Sequence, residues 1–281
     1  MSSPKSPAPR RFPLPLADVR SDKSAALARD AGLRRPQRLV EHAAADAARR
    51  RTPVGLGLDS ARVRTRMVER LRAAGLTDER LIAAFAHVER HRFVDSALAQ
   101  QAYEETSLPI GFGQTISKPS VVAQMLQALL EGRPGRSDGT QGAPVWRRVL
   151  EIGTGCGYQA ALLARLAERV VSIERVGALA ERARANLAGA AVSNVEVLHG
   201  DGRLGAPRLA PFDAIVSAAG GAEMPLAWLD QLAPGGRLVA PGAALRPGVQ
   251  ELVVVEHGGP AGFTRRLAGE VYFVPLKSGA E

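Results

Sequence analysis

The 281-residue chain has a single cysteine, Cys156. One thiol excludes an internal disulfide and any zinc site built on cysteines. Cys156 is expected to pack passively, since no histidine or lysine lies beside it in sequence. Long apolar runs are also missing: none approaches the roughly 20 residues that cross a bilayer. The opening stretch, MSSPKSPAPRR, has no apolar segment of the kind a secretory signal needs. A reducing, cytoplasmic setting away from membranes is therefore expected. Histidine is scarce. Of His42, His87, His91, His199 and His257, only His87 and His91 fall four apart, and no third ligand accompanies them. Both are expected on a helix surface, and no metal site is expected. G-x-S-x-G and the P-loop lysine are absent as well.

Acidic residues are short at one end only. The net charge is +9, but residues 1–58 hold 12 Lys/Arg against 5 Asp/Glu, whereas the remainder holds 25 against 23. The basic signal thus sits in an arm, which argues against a folded domain that grips nucleic acid through a charged face. The first twenty residues are rich in Pro, Ser and Arg and lack an apolar period, so disorder is expected there. Alanine and arginine further on favour a short helix or two. Residues 1–58 therefore read as a basic extension. Nucleic acid or an acidic partner would be its target; a solvated tail is the plainer reading.

From Asp59 the pattern tightens. Val63, Met67, Val68 and Leu71 share one helical face, with Gly75 as a stop. A second helix begins at Thr77 or Asp78 and runs on through Leu81, Ile82, Phe85 and Val88. A third, SVVAQMLQALLEG, follows Pro119, a residue favoured in a first turn. These make a helical part, 59–131. Residues 132–146 form a Gly/Pro/polar loop, expected to be mobile. Residues 147–281 then alternate. RRVLEI, RVVSIE, VEVLHGD, FDAIVSAA and RLVAP read as strands; GYQAALLARLAE, VGALAERARANLAGA and PLAWLDQLAPGG read as helices. Such a rhythm means an α/β fold, with a mostly parallel central sheet and helices on both faces. ELVVVEH and EVYFVPL are expected to close it as an antiparallel pair, their order left open.

VLEIGTGCGYQAALLA carries the first chemical signal. Glu151, Gly153, Gly155 and Gly157 spell E-x-G-x-G-x-G at a strand-to-helix junction, where glycine allows a tight turn and close approach of a ligand. A dinucleotide fingerprint would read G-x-G-x-x-G with pyrophosphate over the helix; here the third glycine comes one residue early. Glu151 suits a cation better than a pyrophosphate. S-adenosylmethionine, with an ammonium and a sulfonium, fits spacing and charge better than NAD. Glu174 ends the next strand, about 20 residues past the glycines, where a carboxylate accepts ribose hydroxyls. Asp201, between Gly200 and Gly202, ends the third and is placed to accept from an adenine amine. Three acidic groups at consecutive strand ends match where such folds bind ligands. Taken singly, Glu174 and Asp201 serve as well as helix caps, and Glu151 as an arginine partner. After the fourth strand the sequence reads SAAGGAEMP, without the Asn/Asp-Pro-Pro-aromatic tetrad that orients amines, so a planar amino acceptor is disfavoured.

One stretch is left: PIGFGQTISKP, residues 109–119, too polar for a core and too short for a linker. Read alone, its Ser117, or the nearby Ser120, would simply start the next helix. Together with HRFVD, VLEIGTGCGYQAALLA, HGDG, PFDAIVSAA, LAPGGRLVAP and FVPL, in that order from Asp59 onward, it resembles the protein-L-isoaspartate O-methyltransferase family. The resemblance implies a Rossmann-like, S-adenosylmethionine-dependent methyltransferase domain over 59–281. It implies methyl transfer to the α-carboxylate of isoaspartyl residues in damaged proteins and peptides, starting repair through a succinimide. By the same resemblance Ser117 is the catalytic residue, hydrogen-bonding the acceptor carboxylate. Thr115 and Ile116 line the cofactor site, with Gln114 in the same loop. A monomer is expected, with isoaspartyl polypeptides as partners. Three departures stand out: residues 1–58 lie outside the family core, the 132–146 loop is long, and SAAGGAE lacks a Thr and Pro seen in some members. Two rival readings follow. One is a carboxyl O-methyltransferase with another acid substrate; the other is a cofactor-binding module whose basic arm engages nucleic acid.

Overall fold

Amphipathic spacing and strong local caps set the first elements of the computed structural model, which describes residues 60–133, 144–221, 223–246, 249–271 and 273–281. The basic extension and most of the 132–146 loop lie outside the described residues. Helix α1 (Ser60–Ala73) buries Met67, Val68 and Leu71. Helix α2 (Glu79–His87) is capped by Asp78, whose carboxylate accepts from the backbone N–H groups of Arg80 and Leu81. It buries Leu81, Ile82 and Phe85, as its spacing requires. The helix stops at His87, one residue before Val88, and Arg90–Phe93 forms a separate 3-10 turn. His91 is therefore not on a helix face with His87. It is half-buried, and its Nδ1 lies 2.7 Å from the Tyr103 hydroxyl.

A two-stranded hairpin follows, β1 (Leu108–Gly111) against β2 (Gln114–Ile116). Helix α3 (Pro119–Leu130) starts with its proline in the first turn. The seven-stranded sheet is built from β3 (Trp146–Ile152), β4 (Ala167–Glu174), β5 (Val195–His199), β6 (Phe212–Ser217), β7 (Leu232–Arg246), β8 (Val249–His257) and β9 (Phe263–Val271). Its order is β5-β4-β3-β6-β7-β8-β9. The first five strands in that order run parallel; β8 and β9 are antiparallel to their neighbours. Helices α4 (Tyr158–Leu163), α5 (Gly177–Gly189) and α6 (Leu226–Asp230) fill the crossovers.

Strand alternation divides the interior in two. Val149, Val170, Val197, Ala214, Val216 and Val239 turn toward the side packed by α1 to α5. Leu150, Ile152, Val171, Ile173, Ile215 and Leu238 turn the other way, under Trp228 of α6. Both faces are thus covered, as the buried apolar runs demand of a parallel sheet. β9, at the edge, is almost wholly exposed and carries Arg265, Arg266 and Glu270, charges that discourage edge-to-edge pairing with another chain.

Three sequence expectations need correction. The helix expected over 157–168 ends at Leu163, because the carbonyl of Leu166 accepts from the N–H groups of Val145 and Trp146, drawing that segment into the sheet. The helix expected over 225–236 ends at Asp230, and Leu232 pairs with Phe212 instead. The closing strand is Phe263–Val271 rather than EVYFVPL. Phe273 to Leu276 leave the sheet edge and return to the end of β6, where Gly220 exchanges hydrogen bonds with Val274 O (3.0 Å) and Leu276 N (2.7 Å). That return places them over the carboxyl ends of the strands.

Candidate active site

At the end of β3 the chain turns through Gly153, Gly155 and Gly157 with φ of +87°, +56° and +91°. L-residues with side chains rarely adopt this region. At Gly157 a Cβ would also meet Leu187 Cγ at 3.2 Å, so that glycine lets α4 start against α5. At Gly155 a Cβ would meet Ile110 Cδ1 at 3.1 Å, so that glycine lets the hairpin close over the loop.

Glu174 ends β4 and is pinned by backbone. Its Oε2 accepts from Gly155 N (2.8 Å) and its Oε1 from Val176 N (3.0 Å). Among the described residues the carboxylate has no cationic side-chain partner, and it keeps further lone pairs for a ligand. Glu151 lies deeper. It is fully buried and accepts from Ser172 Oγ, itself bonded to Thr154 Oγ1; among the described residues its Oε1 has no hydrogen-bond partner. Burial pushes its carboxyl up to about 8, with the Ser172 hydrogen bond and the nearby Gln159 amide opposing the rise and repulsion from Glu174 adding to it. Asp201 caps the turn Gly202–Leu204 through Arg203 N (2.9 Å) and accepts from Gly279 N (2.8 Å). Burial would raise its pKa, but these backbone donors outweigh it and hold the group low. Asp201 thus does serve as a local cap, whereas Glu174 accepts from the N–H of Val176 without capping α5; the two stand at adjacent strand ends.

An open cleft lies over these strand ends. Gly153, Gly155, Glu174 and Gly202 line its floor; Thr115 and Ser117 line one wall, and Phe273 to Lys277 the other. Five candidates do not reach its surface: Ile116 and Glu151 point into the core, Gly157 packs on Leu187, and Gly200 and Asp201 stand just behind Gly202. Past the cleft the 277–281 segment is held to the strand ends, through Gly279 on Asp201 and a 2.6 Å ion pair between Arg175 and Glu281.

Ser117 sits in the gap between β2 and α3. Among the described residues its hydroxyl makes no hydrogen bond, and the residue before Pro119, Lys118, supplies no side-chain cap. Ser120 is the hydroxyl engaged locally, bonded to the Glu105 carboxylate. The Ser117 carbonyl accepts from Arg90 Nη2 at 2.7 Å. Sequence reasoning passed over Arg90. It is one of three basic residues in RHRF, and no local pattern separates the buried one from the two partly exposed. Among the described residues, no group of three or more His, Cys, Asp or Glu is placed to hold a metal ion, and no helix is long and apolar enough to cross a membrane.

The comparisons with known proteins agree with this layout. The family model described as protein-L-isoaspartate(D-aspartate) O-methyltransferase matches residues 62–281. A protein-L-isoaspartate O-methyltransferase of Methylibium petroleiphilum is 52% identical over the full length of both chains. One from Leptothrix cholodnii is 51% identical, with 99% of this chain and 98% of the relative covered. A solved structure titled protein-L-isoaspartate O-methyltransferase superposes with a TM-score of 0.65 at 28% identity, matching 76% of this chain to 66% of that one. A Plasmodium falciparum structure, titled as a putative enzyme of this kind in complex with S-adenosyl-L-homocysteine, has a TM-score of 0.63 at 24% identity and covers 75% and 96%; at that identity it speaks for the fold alone. With a glycine loop, a pinned strand-end carboxylate and a hydroxyl-bearing hairpin around one cleft, and with relatives matched end to end, the chain belongs to the protein-L-isoaspartate(D-aspartate) O-methyltransferase family.

Proposed function

We propose that this protein transfers a methyl group from S-adenosylmethionine to the α-carboxylate of L-isoaspartyl residues in damaged proteins and peptides. The observation that carries the reading is the meeting, in one cleft, of Glu174 and the glycine loop with a Ser117 hydroxyl that no other described residue uses. When bound, the cofactor supplies an electrophilic methyl carbon on a sulfonium. Glu174 is set to accept from ribose hydroxyls, and the open backbone at Gly153 and Gly155 lets the donor lie close. Glu151 lies under this loop and supports it from below through the Ser172 and Thr154 hydroxyls.

The acceptor needs no general base, because a carboxylate with a pKa near 4 is already ionised at neutral pH. What it needs is aim. Ser117 Oγ donates to one carboxylate oxygen and leaves the other free to face the methyl, so placement and exclusion of water supply most of the rate. A neutral donor orients the anion without holding it as firmly as a guanidinium would. Thr115 lines the same wall, and Ile116 anchors it in the core. The opposite wall, Phe273 to Lys277, presents backbone on which an extended polypeptide of varied sequence can rest. The methyl ester then cyclises to a succinimide without further help, so the protein performs one step only.

Methyl transfer from labelled S-adenosylmethionine to a peptide pair differing only in isoaspartyl or aspartyl linkage tests the reading. Labelling confined to the isoaspartyl peptide is expected; equal labelling of both would sink it. Ser117→Ala is expected to lower kcat about tenfold, which is roughly 1.4 kcal/mol of transition-state stabilisation, while cofactor Kd stays within about twofold.

A further inference from the structure

Arg90 is fully buried, and no carboxylate among the described residues lies within ion-pairing distance of it. Burying a charge without an opposite charge is costly, and an apolar side chain would fill the same space at less expense. Three contacts hold the guanidinium. Nε donates to Ala102 O at 2.6 Å, Nη2 donates to Ser117 O at 2.7 Å, and the planar group lies over the Tyr158 ring, 4.8 Å from its centroid. Each contact belongs to a different segment. Ala102 follows the 3-10 turn Ser96–Gln101; Ser117 belongs to the proposed acceptor loop; Tyr158 opens α4 directly after Gly157. Tyr158 is itself fixed edge-on by Phe93, ring to ring at 5.7 Å.

Among the described residues nothing else secures the Ser117 carbonyl. The hairpin ladder ends at the Leu108–Ile116 pair, and the first helical bond of α3 uses the carbonyl of Lys118. The peptide that carries Ser117 falls between ladder and helix, free of both. We propose that Arg90 is a positioning residue: its fork locks the Ser117 peptide to the first turn of α4, so the acceptor hydroxyl and the cofactor loop keep one register. This rests on the reading of Ser117 given above. Lysine cannot take the place, because an ammonium is a point donor without the planar fork that bonds two carbonyls while stacking on a ring.

The test is a double-mutant cycle between Arg90→Lys and Ser117→Ala, with kcat expressed per site that binds S-adenosylhomocysteine, so that misfolded protein drops out. Arg90→Lys alone is expected to lower kcat about tenfold and leave S-adenosylhomocysteine Kd within about twofold. In the Ser117→Ala background the same change should cost less than about twofold, since there is no hydroxyl left to aim. Leu71→Ala, a buried truncation in α1, serves as the stability control and should keep its per-site kcat. A full tenfold loss persisting in the Ser117→Ala background, or an equal loss in Leu71→Ala, would overturn the proposal. Full activity in Ser117→Ala alone would instead refute the reading of Ser117. Should Arg90→Lys not fold, Tyr158→Leu, which keeps both guanidinium hydrogen bonds and removes their seat, enters the same cycle with about a threefold effect expected; additivity there is equally fatal.

Discussion

The glycine loop 153–157 and the hairpin 108–117 face each other across the cleft but are shaped by different means. The loop carries its conformation in its own residues. Three glycines hold left-handed φ, and a strand-end carboxylate caps the loop at Gly155 N. The hairpin has one short ladder, and beyond its last pair it depends on Arg90, 27 positions away in sequence. A wall encoded locally is rigid and readable, whereas a wall held from a distance can be displaced without unfolding. That difference suits the chemistry proposed. The donor is always the same molecule, while the acceptor side must admit many polypeptides.

The largest expected effect breaks the donor wall. Gly157→Ala puts a Cβ at φ +91°, 3.2 Å from Leu187 Cγ and 3.5 Å from the carbonyl of Ala183. Left-handed strain of about 1–2 kcal/mol adds to crowding against the buried Leu187 side chain, which must shift by a few tenths of an ångström. A loss of about 2–3 kcal/mol is expected, read as a Tm lower by roughly 6 °C for a domain of this size. Cofactor Kd, by titration calorimetry, should rise at least about tenfold, because the loop and α4 shift together. An unchanged Kd would mean that the loop is less rigid than its dihedrals imply.

Legibility in the sequence follows the same division. The central strands β3, β4 and β6 were readable because each is a short apolar run buried on both faces, and the glycine loop because its spacing has a backbone cause. The pinned Glu174 was readable from its distance to the glycines. The early ends of α4 and α6 were not, since Leu166 and Leu232 have the apolar character of the helices they leave; only pairing across the sheet pulls them out. Nor could sequence show that FVPL turns back onto Gly220 instead of extending β9. Ser117 is singled out by family resemblance alone, because a serine before a proline and a helix looks like an ordinary helix start. Arg90 carried no signal at all: its burial arises from three segments converging in space.

Beneath the donor wall, Glu151 gives a pH-dependent effect of intermediate size. Its carboxyl is raised from 4.5 to about 8 by burial. Between those values the folded protein holds a proton that the unfolded chain has released, so raising pH favours unfolding. The group's contribution is fully present below about pH 4.5, fades as pH rises through that window, and is lost above about pH 8. Glu151→Gln mimics the protonated form at every pH. Its thermal stability should match the parent near pH 5 and exceed it by on the order of 2 kcal/mol at pH 8.5. Parallel pH profiles for the two proteins would show that Glu151 ionises normally and that the donor wall does not isolate it.

The smallest expected effect sharpens the contrast from the acceptor side. At the hairpin tip Phe112 and Gly113 join Gly111 to its partner Gln114, both with positive φ (+54° and +68°). This is the signature of a type I′ turn, whose first central position favours asparagine and aspartate. A phenylalanine there is strained, and it gains little from burial because it is 64% exposed. Phe112→Asn relieves the strain and is expected to stabilise the protein by about 0.5–1 kcal/mol, a Tm increase of roughly 2 °C. Cofactor Kd should not move, since the glycine loop takes its shape without the tip. A fall in Tm would show that the ring packs against something in solution. A weakened cofactor would show that the tip supports the donor wall, and the two walls would then have to be treated as one.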